Sequence, residues 1–180
     1  MVYVLLGTGF EEVEAITPID LLRRADIPVT TVGVTGKTVF GGHNIGIEAD
    51  ISIDELDPSD LDMVVLPGGL GGVASARANH KAMDLLRYAW ENGKFVAAIC
   101  AGPTVLADLG ITDGKLATCY PGCEDGMGNA RLADDVPCIR DGNLITGTSA
   151  GCAVPFGLML IAALKGQSVA DAVAEKFVIR

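Results

Sequence analysis

Histidine is nearly missing from this chain of 180 residues. His43 and His80 are its whole complement, so a nucleophile in the second half has no downstream imidazole to act as its base. The cysteines number five, an odd count, and none has C-x-x-C spacing. That argues against a disulfide framework and for a reducing cytoplasm. Cys119 and Cys123, four apart, with Cys138 and Cys152 beyond, raise the question of zinc, but the spacing and the lack of a later histidine point away from a metal. Positive charge is also short, with 13 Lys and Arg against 23 Asp and Glu and a formal charge of −10. This disfavours nucleic acid and anionic membrane as partners. The longest apolar run, residues 154–164, is too short to span a bilayer. The first residues enter a strand with no basic n-region or small-residue cleavage site, so no signal peptide is expected. No repeat, linker or low-complexity segment is visible.

What is present is a chain 49% apolar, enough to bury one core over residues 1–180. Val2 to Leu6 reads as a strand, followed by Gly7-Thr8-Gly9 and a helical stripe through Val13, Ile16, Ile19 and Leu22. A dinucleotide fingerprint needs a third glycine at position 12. Glu12 stands there between Glu11 and Glu14, and three carboxylates would repel a pyrophosphate. Glu11 and Glu12 read as complements of the helix dipole. Glu14 differs, lying among apolar neighbours close to the carboxyl end of the first strand. Residues 28–34 form a second strand, and residues 39–47 a hairpin whose tip puts His43 in solvent. Residues 63–66 are a buried strand ending in Pro67-Gly68-Gly69, which offers backbone N–H groups but lacks the Gly-Lys-Ser/Thr of a phosphate loop. His80 opens a helix over 81–91. Residues 115–118 are a short strand, and residues 136–140 and 144–148 a hairpin around Asp141-Gly142-Asn143. Residues 153–164 read as a helix apolar all round and hence buried, and Ser168 as the cap of a last helix to Ala174. The alternation predicts a single α/β sandwich.

Residues 95–103, Phe-Val-Ala-Ala-Ile-Cys-Ala-Gly-Pro, are the stretch on which chemistry would turn. Phe95 to Ile99 reads as a strand buried on both faces, so Cys100 sits at its carboxyl end. Ala98, Ala101 and Gly102 leave room for a sharp strand-to-helix turn, and Pro103 suits the first turn of the helix that follows. That helix end would favour a thiolate and depress the thiol pKa. Read locally, Cys100 fits either an activated nucleophile or a buried structural cysteine.

Four motifs together resemble the ThiJ/PfpI superfamily, specifically its Parkinson-disease deglycase branch. They are Gly9-Phe10-Glu11-Glu12-Val13-Glu14, Pro18-Ile19-Asp20 with Arg23-Arg24-Ala25, Val64-Val65-Leu66-Pro67-Gly68-Gly69, and Ala97 through Pro103. The resemblance covers the whole chain. It implies a flavodoxin-like three-layer sandwich with a mostly parallel central sheet and a cysteine nucleophile elbow, a homodimer, and no cofactor. It implies that Cys100 is reactive and paired with a protonated Glu14. Backbone amides near Gly69 and Ala101 would form an oxyanion pocket, with Gly68, Tyr120, Pro121 and Thr148 lining the site. Two positions depart from the branch: Tyr120 stands where a histidine is frequent, just before Pro121, and Thr148 stands near where an arginine is found. The intracellular-protease branch has histidine directly after the nucleophile, where this chain has Ala101. Class I amidotransferases need a downstream histidine. A Cys-His protease and an amidotransferase are therefore both disfavoured.

Two functions remain open. One is a cofactorless glyoxalase- or deglycase-type enzyme acting on methylglyoxal, glyoxal or their early adducts, with Glu14 as proton carrier. The other is a redox-responsive sensor or chaperone-like protein working through oxidation of Cys100.

Overall fold

The computed structural model describes residues 1–179. The chain runs β1 (Val2–Leu6), α1 (Glu12–Arg24), β2 (Val29–Gly33), a hairpin of β3 (Thr38–Phe40) and β4 (Gly46–Glu48), then β5 (Ile51–Ser52). It continues with β6 (Met63–Leu66), α2 (Leu70–Ala78), α3 (His80–Glu91), β7 (Phe95–Ile99) and α4 (Pro103–Asp108). The last third holds β8 (Leu116–Ala117), β9 (Arg131–Leu132), β10 (Cys138–Asp141), β11 (Leu144–Gly147), α5 (Ala153–Lys165) and α6 (Gln167–Lys176).

Seven strands form one sheet in the order β10-β11-β7-β6-β1-β2-β5. Every pairing in it is parallel except β10 with β11. Apart from the two-residue edge strand β5, the parallel part has the 2-1-3-4-5 winding of flavodoxin-like folds, with the reversal between β1 and β6. Alternation along the strands explains the three layers. Tyr3, Leu5, Val64, Leu66, Val96 and Ala98 join a core with Val73, Leu85, Leu86, Val105 and Leu106 of α2, α3 and α4. Val2, Val4, Leu6, Met63, Val65, Ala97 and Ile99 join the opposite core with α1, α5 and α6. Both faces are thus covered by helices, and the central strands read as continuous apolar runs.

Several expectations are corrected. Residues 70–78 form a helix that the sequence pattern does not predict. β8 pairs in parallel with β9 in a separate two-stranded sheet. α6 starts from Gly166 at φ 89° with no side-chain cap, so Ser168 lies inside the helix. α5 is not buried all round, because Val154, Leu158 and Met159 are only partly covered while Phe156, Leu160 and Ile161 face the core. Among the described residues no helix is long and apolar enough to cross a membrane.

Candidate active site

Three strand ends meet at the site. β1, β6 and β7 lie side by side, so the residues after them converge at one carboxyl edge of the sheet. Cys100 follows β7 with φ 65°, a left-handed conformation that a non-glycine residue adopts at a cost of about 1–2 kcal/mol. Its neighbours hold it there. The Cys100 N–H donates to the Gly147 carbonyl at 2.9 Å, and its own carbonyl accepts from the Tyr120 N–H at 2.8 Å. Such strain, tied down on both sides, is a feature of functional turns.

Glu14, in the first turn of α1, is fully buried. Its Oε2 accepts from the Gly68 N–H at 2.8 Å. Its Oε1 is buried with no hydrogen-bond partner, and the carboxyl as a whole lies close enough to the Cys100 thiol for each group to govern the other's proton affinity. Gly68 is what lets the two approach. A Cβ there would sit 2.6 Å from Glu14 Oε2 and 2.7 Å from Cys100 Cβ. Gly69, at φ 83°, has the same constraint against the backbone, since a Cβ would meet the Gly9 carbonyl oxygen at 2.4 Å.

Burial pushes the Glu14 carboxyl above its ordinary range, against the opposing hydrogen bonds of Cys100 and Gly68. The Cys100 thiol is pushed up to about 12, first by burial, then by the charge of Glu14 and its hydrogen bond; the amides of Ala101 and Gly69 pull the other way. The expected low thiol pKa is thereby corrected. Two of the three upward causes act through Glu14 in its charged form. When Glu14 holds a proton its charge is gone and its O–H donates to sulfur, so the pair shares one proton and a thiolate requires the neutral acid.

Glu14, Cys100, Gly69, Ala101 and Tyr120 line one cavity of about 570 Å³, together with Glu11, Leu70, Cys123, Ser149, Ala150 and Gly151. Sequence reasoning missed these last six. Gly68 contributes its amide to Glu14 and is not part of the wall. Pro121 and Thr148 are corrections, because both line a neighbouring cavity with Cys119 and Cys152. The Thr148 hydroxyl donates to the Val136 carbonyl at 2.6 Å and lies 3.2 Å from the Thr118 hydroxyl, so local bonds hold it on that side. Glu12 is also corrected. It is buried, and it takes the His43 N–H at 2.8 Å and His43 Nδ1 at 2.9 Å, pinning the β3–β4 hairpin to α1. His43 is exposed but paired. With Glu11 these two form the one group of three potential metal ligands within 4.8 Å of one another among the described residues. Both Glu12 oxygens are already engaged by His43.

A doubly wound sheet that presents a strained cysteine beside a buried carboxylic acid, at the edge where its winding reverses, defines a class of cysteine-bearing α/β sandwich. The comparisons with known proteins agree. The DJ-1/PfpI family model matches residues 1–163, and the chain belongs to that family. It is similar to protein dj-1beta of Drosophila melanogaster, 39% identical over 98% of this chain and 95% of the relative. It is also similar to the Parkinson disease protein 7 homolog of Danio rerio, 34% identical over 98% and 96%. A deglycase of Pyrococcus horikoshii is 34% identical over 81% of this chain and 87% of its own. The crystal structure of Drosophila DJ-1beta superposes with a TM-score of 0.95 at 38% identity, covering 99% of this chain and 97% of that one.

Proposed function

We propose that the protein is a cofactorless, cysteine-dependent enzyme of glyoxalase or deglycase type acting on small α-oxoaldehydes or their early adducts. The observation that carries this reading is the fully buried Glu14, a carboxyl next to the Cys100 thiol with one oxygen fixed by Gly68 and the other unpartnered. A neutral carboxylic acid there donates to sulfur and keeps a proton for transfer. The thiolate attacks the aldehyde carbon to give a hemithioacetal, whose oxygen takes hydrogen bonds from the amides of Gly69 and Ala101. Glu14 gives its proton to that oxygen, and the carboxylate so formed takes the proton from the former aldehyde carbon. It returns one to the adjacent carbon as the hydroxyl proton shifts to the neighbouring oxygen, leaving a thioester. Water hydrolyses it to a hydroxy acid and returns the thiol. The names of the archaeal deglycases among the relatives support the substrate class.

The reading includes a homodimer. α1 leaves Val13 48% and Ile16 45% exposed, and α5, packed beside it, leaves Leu158 and Met159 partly uncovered. Two helices offering one apolar strip are suited to a two-fold contact.

The test is steady-state lactate formation from methylglyoxal by the wild type and by Cys100→Ala. Turnover lost with the sulfur supports the enzyme. Equal lactate from both, with Cys100 still the site of oxidation by peroxide, would favour the sensor reading.

A further inference from the structure

The pocket contains a second thiol. Cys123, half-buried and unpaired, lines the same cavity as Cys100. The backbone brings it there. The Tyr120 N–H donates to the Cys100 carbonyl at 2.8 Å and the Cys123 N–H donates to the Tyr120 carbonyl at 2.9 Å, so the turn over 120–123 hangs from the reactive residue itself. Pro121 and Gly122, which make the turn, are exposed, and Gly122 has φ 97° with nothing within 4 Å of where a Cβ would be. The outer side of the turn at Gly122 is open. The other cysteines are turned elsewhere. Cys119 is 6% exposed and, with Cys152, lines the neighbouring cavity, but it lies within electrostatic range of Cys123 and packs in the same core, so it is the competing partner. Cys138 packs in the core on the α5 side of the sheet.

We propose that Cys123 is a resolving thiol for Cys100, making the pocket a peroxide-responsive dithiol. The Cys100 thiolate attacks a hydroperoxide. An S–O bond forms, the O–O bond breaks, and the leaving oxygen takes the Glu14 proton to depart as water or an alcohol. Cys123 then attacks the sulfur of the Cys100 sulfenic acid. An S–S bond forms, the S–O bond breaks, and hydroxide leaves as water with the proton of the Cys123 thiol. Two thiols and one hydroperoxide become one disulfide, one alcohol or water, and one further water. An external dithiol restores both thiols. The disulfide stops Cys100 short of sulfinic acid and seals the pocket reversibly. This holds whether or not the pocket also turns over oxoaldehydes.

The experiment is non-reducing peptide mapping of the reduced wild type after two equivalents of hydrogen peroxide, one more than the disulfide consumes and enough for the two oxygens of a sulfinic acid. The expected product is a pair of peptides joined through Cys100 and Cys123, lighter by two hydrogens and separated by dithiothreitol. Under the same dose Cys123→Ser should gain two oxygens on Cys100, and Cys100→Ser should leave Cys123 fully alkylated by iodoacetamide. Sulfinic acid on wild-type Cys100 with Cys123 still free would overturn the proposal. So would a link between Cys119 and Cys123. The wild-type map decides the matter by itself, so a variant that fails to fold cannot shield it.

Discussion

Replacing Glu14 by Gln separates the two roles that the structure gives this side chain. Gln has the same shape, its carbonyl can accept the Gly68 N–H that Oε2 now accepts at 2.8 Å, and its amide can donate to the neighbouring sulfur of Cys100. What it lacks is a proton to give up. The sulfur keeps the amides of Ala101 and Gly69 and exchanges one donor for another, a change on the scale of a single hydrogen bond of about 1 kcal/mol, or roughly fivefold. Alkylation of Cys100 at neutral pH should therefore stay within about tenfold of the wild type. Removing the proton carrier costs a general acid–base factor of about a hundredfold to ten-thousandfold in lactate formation. The assay pairs iodoacetamide labelling of Cys100, followed by mass spectrometry, with steady-state lactate production from methylglyoxal. Lactate formation within about tenfold of the wild type would refute Glu14 as the proton carrier. If labelling and turnover fall together, the damage is to the thiolate and the proposed division of labour fails.

Tyr120→Phe removes only a hydroxyl from a side chain on the pocket wall that is 48% exposed, so turnover should drop by at most about tenfold. A larger loss in that assay would put the hydroxyl into the chemistry. Glu14 also predicts a pH dependence of stability. Burial raises its folded pKa above the unfolded value, so its contribution is fully present below about 4.5 and is lost as pH rises through the folded value. In a Cys100→Ala background, Glu14→Gln should match Glu14 in melting temperature near pH 4 and exceed it at pH 8. The gain is about 1.4 kcal/mol, or roughly 3–5 °C, for each tenfold rise in proton affinity that folding gives the carboxyl. A constant difference across that range in calorimetry would remove burial as the cause. Ile16→Glu places a charge in the exposed strip of α1 and should convert a dimer into a monomer at micromolar concentration, read by light scattering. A wild type that is already monomeric would end the homodimer reading.

The sheet was legible because its central strands are buried on both faces, and such strands read as unbroken apolar runs whose ends are marked by glycine or proline. The first, second, sixth and seventh strands fall within a residue or so of where the pattern puts them. α2 was not legible for a physical reason. Its sequence, Leu-Gly-Gly-Val-Ala-Ser-Ala-Arg-Ala, has glycines where a helix usually has better formers. Those glycines permit close contact with the turn after β1: a Cβ on Gly71 would meet Gly9 Cα at 2.9 Å, and one on Gly72 would meet Phe10 Cα at 2.7 Å. Composition that resembles a loop is here the mark of close packing.

The site divides along the same line. Cys100 and Glu14 could be singled out because each breaks a local rule, one as the thiol that ends an apolar strand and the other as a carboxylate among apolar neighbours. The rest of the pocket obeys no local rule, because it is assembled by contacts distant in sequence. Tyr120 reaches Cys100 through a backbone hydrogen bond, which carries no side-chain signature. Glu12 reads as an ordinary first-turn acid until the hairpin 31 residues away folds back and gives it His43. Thr148 and Pro121 were assigned to the pocket by likeness of position, yet the bond from Thr148 to the Val136 carbonyl and the turn at Pro121 direct both into the neighbouring cavity. Cys123 shows the consequence most directly. Nothing in residues 119–123 distinguishes it from Cys119, and only the folded backbone, tied together at residues 100, 120 and 123, puts Cys123 on the wall of the Cys100 cavity and Cys119 on the wall of its neighbour. Chemistry that depends on which of two neighbouring thiols faces the pocket is therefore fixed by backbone geometry, and mapping the disulfide in the wild type tests that geometry directly.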